Sequence, residues 1–174
     1  MTATLRFFFL LALATWLGGL LFFGAVLAPV AFTILPTTHL AGLVVGASLR
    51  HLHVIGLVCG IVLLTTQMIL GPQGRKRAFI ASLALIVIML GLTAVSQFAI
   101  IPSMDQHRAA ALTGFSPEAE LKTDPADNSD RAAFDHLHNL STWVEQGVIF
   151  CAVVLMSLAS LPPRRDPQFP HPNS

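Results

Sequence analysis

The stretch from Phe134 to Glu145, FDHLHNLSTWVE, holds three side chains that could do chemistry lipid does not favour: His136, His138 and Glu145. Neutral imidazole is a good ligand for copper, zinc and haem iron. An ionisable group inside an apolar run is costly and usually functional. A second His-Leu-His, His51 to His53, heads another apolar run. Residues two apart on a helix point about 200° apart, so only one histidine of each pair can face a bundle axis. His138, Ser141 (or Thr142) and Glu145 follow the i, i+3/i+4, i+7 spacing of one helical stripe. His138 is therefore expected to face inward, and His53 with it. His51 and His136 are expected at the rim, near Arg50 and Asp135.

Depth agrees with that placement. Val54 to Leu70 makes roughly 26 Å of helix at 1.5 Å per residue, against a hydrocarbon core of about 30 Å. His53 then lies at or just under the membrane boundary. Glu145, seven residues past His138, lies about 10 Å deeper than that histidine.

Three uses of these residues follow. The first is packing: His53 and His138 cap helix starts, bond across the bundle and fix its geometry. The second is a cofactor between the helices that carry them. Two facing histidines are the minimum for haem b, whereas copper or zinc would want a third ligand, for which Glu145, His107 and His39 are candidates. The third is translocation of protons or a small solute, with Glu145 and His138 as relay groups. Ser141 and Gln97 are expected to line the inside. Thr65, Thr66, Thr93 and Ser96 more often bond a backbone carbonyl of their own helix. No enzyme is expected. There is no CxxC and no phosphate-binding glycine loop, and His136-Leu137-His138 lacks the four-residue spacing of a zincin helix.

The elements that must position these groups are membrane spans. Of the 174 residues 54% are hydrophobic and 11% charged, and the mean hydropathy is +0.71; soluble domains carry about 25% charged residues. A net charge of +1 gives no basic patch for nucleic acid. The expected partner is the lipid bilayer, with a homo-oligomer or a membrane-complex subunit as the wider setting. Cys59 and Cys151 lie in apolar runs and read as small buried hydrophobes. Four stretches reach the roughly 20 apolar residues of a transmembrane helix: about Phe7 to beyond Val26, His53 to Leu70 with a lead-in from Leu40, Ala78 to Ile101, and Leu140 to Leu161. Arg6 followed by an apolar run resembles a signal peptide, but no charge interrupts Phe7 to Leu49, which fits an uncleaved first span better. Gly71-Pro72-Gln73-Gly74 separates spans two and three.

The fold expected is all-α, an integral membrane four-helix bundle over residues 1–162. A polar outer insert occupies 103–131 and a disordered cytoplasmic tail 163–174. Within the insert, Ser116-Pro117-Glu118 has the form of a helix start. Arg131 and Asp135 form an (i, i+4) pair at the entry to span four. Arg75, Lys76 and Arg77, with Arg6, Arg164 and Arg165, fall on one side if both termini are cytoplasmic. This places the chain in the inner membrane, with the acidic insert outside.

The halves of the chain also look alike. Gly18 precedes Pro29 by the same eleven residues (29 − 18) as Gly91 precedes Pro102 (102 − 91). Each proline is followed by a connection and then a similar phrase, LRHLHVIG or FDHLHNLS. The implied arrangement is a parallel two-fold repeat of spans 1–2 and 3–4, its axis along the membrane normal. The small residues Gly18, Gly19, Gly24 and Ala28 would serve close helix approach.

These features together resemble the transmembrane protein 205-like family, a four-span domain of unknown function. The matching residues are Trp16-Leu17-Gly18-Gly19 and Pro29 in span one, the basic loop after span two, Pro102 after span three, and Phe134, His138 and Ser141 in span four. The resemblance implies a four-helix membrane protein without established enzyme chemistry, and a link to metal handling through platinum-drug resistance. Members tend to carry asparagine where this chain has Glu145, so the resemblance implies no role for that residue. The general layout is also similar to that of the copper-resistance protein D family, whose membrane helices carry histidines.

Overall fold

The structure, a computed structural model, describes residues 2–72, 76–112 and 129–160. Four helices within it are long and apolar enough to cross a membrane: Ala3–Ile34, Thr38–Leu70, Lys76–His107 and Ala132–Ala159. They are taken below as spans one to four. Among the described residues there is no strand, and the chain is an all-α membrane bundle. The expected surface helix at Ser116 and the tail 163–174 lie outside the described residues.

The helices run further than the apolar patterns suggest. Span two is one helix, Thr38–Leu70, rather than a core with a lead-in. Thr37 starts it: its side chain accepts a hydrogen bond from the Leu40 amide at 3.2 Å, which satisfies one orphan donor of the first turn. Gly71 ends it at φ 65, a left-handed conformation open to glycine. Span four begins at Ser129, eleven residues before its apolar run (140 − 129). Its polar first turns are held by the helix that precedes them in span three, Ile101–Leu112, against which they pack.

Spans one and three are each interrupted by one π-helical segment, Phe23–Leu27 and Ser96–Ile100. The Ala28 amide donates to the Phe23 carbonyl, and the Ile101 amide to the Ser96 carbonyl, each five residues back. The next residue in each case is proline, Pro29 or Pro102. Proline has no N–H to give and its ring collides with the carbonyl four residues earlier. A single widened turn accommodates both effects and lets the helix continue. The two π segments stand 73 residues apart (96 − 23), as do the two prolines (102 − 29). The same offset relates Leu13 to Ile86 and Trp16 to Met89, all at most 1% exposed. Spans two and four match at an offset of 85 (138 − 53), which relates Leu63 to Val148, both fully buried. The repeat is therefore present in the backbone and in the burial pattern.

The core lies on the Gly71 side of the histidines. Phe9, Leu13, Trp16 and Leu20 of span one meet Cys59 and Leu63 of span two, Ile86 and Met89 of span three, and Val148, Ala152 and Leu155 of span four. Trp16 lies flat on span two. A Cβ at Gly56 would stand 2.5 Å from its Nε1, and one at Gly60 would overlap Leu90 and reach 3.0 Å from its Cζ3. Gly56 and Gly60 are thus the G-x-x-x-G surface that admits an indole ring. Gly18 and Gly24 have no atom of this chain within 4 Å of a built Cβ, whereas Gly19 lies close beside Leu52 of span two.

Candidate functional site

His53 is 1% exposed and sits at the centre of a polar cluster drawn from three spans. Its Nε2 is 2.6 Å from Oε1 of Glu145 on span four, and its Nδ1 is 3.2 Å from Oε1 of Gln97 on span three. Ser96, fully buried, donates to the same glutamate oxygen over a longer 3.5 Å. Ser96 and Gln97 are neighbours in sequence, and on a regular helix they would point about 100° apart. They begin the π segment, whose widened turn brings both to the cluster. The sequence reading that gave Ser96 a carbonyl partner is corrected here. Thr66 does behave as expected, donating to the Val62 carbonyl at 2.7 Å.

The proton arrangement is constrained by these partners. If Nδ1 donates to the Gln97 oxygen, a hydrogen bond between Nε2 and Glu145 needs one further proton. That proton sits either on the ring, as imidazolium beside carboxylate, or on Glu145, as carboxylic acid beside neutral imidazole. Both arrangements carry no net charge, which makes the pair tolerable where an isolated charge would not be. The second carboxyl oxygen of Glu145, Oε2, is buried and has no hydrogen-bond partner among the described residues.

Glu145 also reaches the base of a cavity of about 520 Å³ that opens toward the Thr38 end of the bundle. Span one gives it Leu20, Phe23, Gly24, Ala28 and Phe32, and span two gives Thr38 to Leu49 on one face. Span four adds Asp135, His138, Ser141, Thr142 and Gln146 along its other wall. Three residues above His53, about 4.5 Å along the helix, Arg50 is ion-paired with Asp105 of span three.

The expected rim and lining residues sort as follows. His51 is exposed and its Nδ1 bonds the Ala47 carbonyl at 2.8 Å. His136 is exposed. Arg50 is ion-paired with Asp105 of span three, and Asp135 lines the cavity from span four. Ser141, 5% exposed, and Gln97 face inward as expected. His138 does line the cavity, but it is exposed and its ring stacks on Phe134 at 6.2 Å with an interplanar angle of 6°. The side chain of span four in hydrogen-bond contact with His53 is Glu145, two turns deeper. Both ring nitrogens of His53 are engaged by side chains, so neither is open to a metal. Among the described residues no three His, Cys, Asp or Glu side chains stand close enough to hold a metal ion. The groups gathered around His53 are an amide and one carboxylate.

A family model matches residues 11–112, which cover spans one to three with both π segments, His53 and Gln97. The chain belongs to the DUF4149 family, a domain of unknown function. No curated protein and no solved structure matches it. The DUF4149 match ends before span four, so Glu145 and His138 stand outside it and the His53–Glu145 contact joins the matched region to the remainder.

Sequence reasoning singled out His53, Gln97 and Glu145 separately but not their meeting. Gly56 and Gly60 went unread as a seat for Trp16, although their four-residue spacing carried the signal. The widened turns also went unread, although Pro29 and Pro102 at matched positions inside apolar runs marked them.

Proposed function

We propose that this protein is a proton-handling membrane protein whose exchange site is the His53–Glu145 pair at the base of the cavity. What carries this reading is the buried, partnerless Oε2 of Glu145 beside a 2.6 Å contact from its Oε1 to imidazole. A proton arriving through the cavity adds at the Glu145 carboxylate, leaving a carboxylic acid beside an imidazolium. The net charge of the pair rises from zero to +1, and the proton leaves by the reverse step. Ser141, Thr142 and His138 along span four line the approach. The core of Trp16, Leu63, Met89 and Val148 separates the pair from the Gly71 end. Release to that side requires the bundle to open, and the π segments at Phe23 and Ser96 are the places where spans one and three can bend.

The orientation belongs to this proposal. Lys76 and Arg77 at the Gly71 end favour that end as cytoplasmic, so the cavity opens outward, from an inner membrane with both termini inside. The likeness to the transmembrane protein 205-like family belongs here too, as does the packing role of His53. That role is not an alternative to proton exchange, because the same contacts tie spans two, three and four together.

The test is proton flux in liposomes carrying the purified protein under an imposed pH gradient. Glu145→Gln keeps a polar partner for His53 but removes the exchangeable carboxyl proton. Flux above that of empty liposomes, abolished in Glu145→Gln and with thermal stability retained, is the expected result. Wild-type flux no greater than that of empty liposomes would reduce the cluster to packing.

A further inference from the structure

The two-fold repeat assigns a counterpart to each residue of the cluster. His53 corresponds to His138 at the offset of 85, and Gln97 corresponds to Gly24 at the offset of 73. Span three thus supplies a side chain to its histidine, while span one supplies none at the matching place. Gly24 lines the cavity, and a Cβ built on it meets nothing within 4 Å. The cavity is the space left where one half of the repeat keeps a glutamine and the other a glycine. Its volume falls in the range of small-molecule sites, roughly 300–1,000 Å³.

The lining specifies the chemistry of an occupant. It contains Asp105, Asp135 and Glu145 with the histidines His39 and His138, but neither lysine nor arginine. Arg50, beside it, is committed to Asp105. Glu145 lines the cavity; its Oε1 is held by His53, and its Oε2 lies behind the lining, buried and without a hydrogen-bond partner among the described residues. Above it stand Phe23, Phe32, Leu49 and Ile101, apolar walls with two aromatic faces suited to a cation and its hydrocarbon body.

We propose that the cavity binds a small amphipathic organic ammonium ion, its charge held by the carboxyl groups of Glu145 and Asp135 and its apolar body lying against Phe23 and Phe32 in the space Gly24 leaves open. The proposal goes beyond proton exchange while sharing Glu145 with it. Ammonium and proton then compete for one carboxyl group, so uptake of either displaces the other.

Binding is measured on the full chain in lipid nanodiscs by ¹⁹F NMR, with empty nanodiscs subtracted for partitioning. The probes share one body: 4-(trifluoromethyl)benzylamine, the corresponding benzyl alcohol, and the corresponding benzoate. The expected result is saturable binding of the amine alone. Gly24→Leu, whose side chain enters open space and leaves the core untouched, should weaken it by at least roughly ten-fold, and so should Glu145→Gln. Alcohol or benzoate binding as tightly as the amine would overturn the proposal, as would amine binding indifferent to Gly24→Leu, or no saturable binding at all. The measurement is made at equilibrium with no gradient. Amine binding without liposome flux would therefore sink the proton reading and leave this one standing, and flux without amine binding would do the opposite.

Discussion

Replacing His53 by leucine removes two hydrogen bonds at once, one to Glu145 and one to Gln97. Hydrogen bonds between membrane helices average about 0.6 kcal/mol and reach about 1.7, so the pair accounts for roughly 1–3 kcal/mol. The variant also strands a carboxyl group whose Oε2 is already buried without a partner and whose Oε1 keeps only the 3.5 Å approach of Ser96. An orphaned polar group adds about 1–3 kcal/mol. The sum is a loss of about 2–6 kcal/mol, a range that contains the roughly 3–5 kcal/mol cost of breaking a buried ion pair in soluble proteins. Replacing both residues, His53→Leu with Glu145→Leu, removes the stranded group, and apolar substitution of a whole buried pair is often close to neutral. The double variant should therefore be more stable than His53→Leu alone, with a coupling of about 2 kcal/mol or more. Reversible unfolding in mixed micelles, followed by the fluorescence of buried Trp16, measures all members of the cycle. Additive losses, within about 0.5 kcal/mol of the sum, would refute the reasoning and show that the two side chains do not meet.

Other outcomes follow from the same contacts. Gly56→Leu drives a side chain into the indole of Trp16 and should cost about 1–3 kcal/mol with a shift in tryptophan emission; an unchanged spectrum would contradict the seat described for the ring. Gly18→Ala, with open space at the position, should stay within about 0.5 kcal/mol of the parent, and a large loss would mean a neighbour stands there. Thr37→Ala removes the cap of span two and should cost about 1 kcal/mol by thermal unfolding, while Thr37→Ser should restore it. In a chain with Cys59 and Cys151 replaced by alanine, a cysteine at Thr38 should react with an impermeant maleimide from outside the cell and one at Arg77 should not. The reverse labelling would invert the orientation proposed here.

The bundle was legible because lipid leaves few choices. A run of apolar residues long enough to span must be a helix, and the stops at Pro36 and Gly71 divide the runs. The inward turn of His53 was legible from the opposition of residues two apart. Its partner was not. A stripe fixes which way Glu145 points, but whether it meets His53 depends on the relative height of two helices, and the matched His-Leu-His phrases suggested the wrong level. At the offset that aligns those phrases, Glu145 corresponds to Gly60. The pair is thus an asymmetric feature in a nearly symmetric frame, and a repeat argument could only pass over it. The asymmetry between Gln97 and Gly24 escaped for a related reason: a cavity is a missing side chain, and periodicity registers only those present. The ion pair of Arg50 with Asp105 depended on span three continuing as helix past Pro102, which a proline argues against unless the widened turn is foreseen.

The account rests on Glu145 exchanging a proton, and infrared difference spectroscopy of the protein in lipid films reports that group directly. A pH step should produce a carboxylic acid C=O band that shifts in deuterated water, weakens or moves in His53→Leu, and vanishes in Glu145→Gln. A difference spectrum with no carboxylic acid band, or one that persists unaltered in Glu145→Gln, would contradict it.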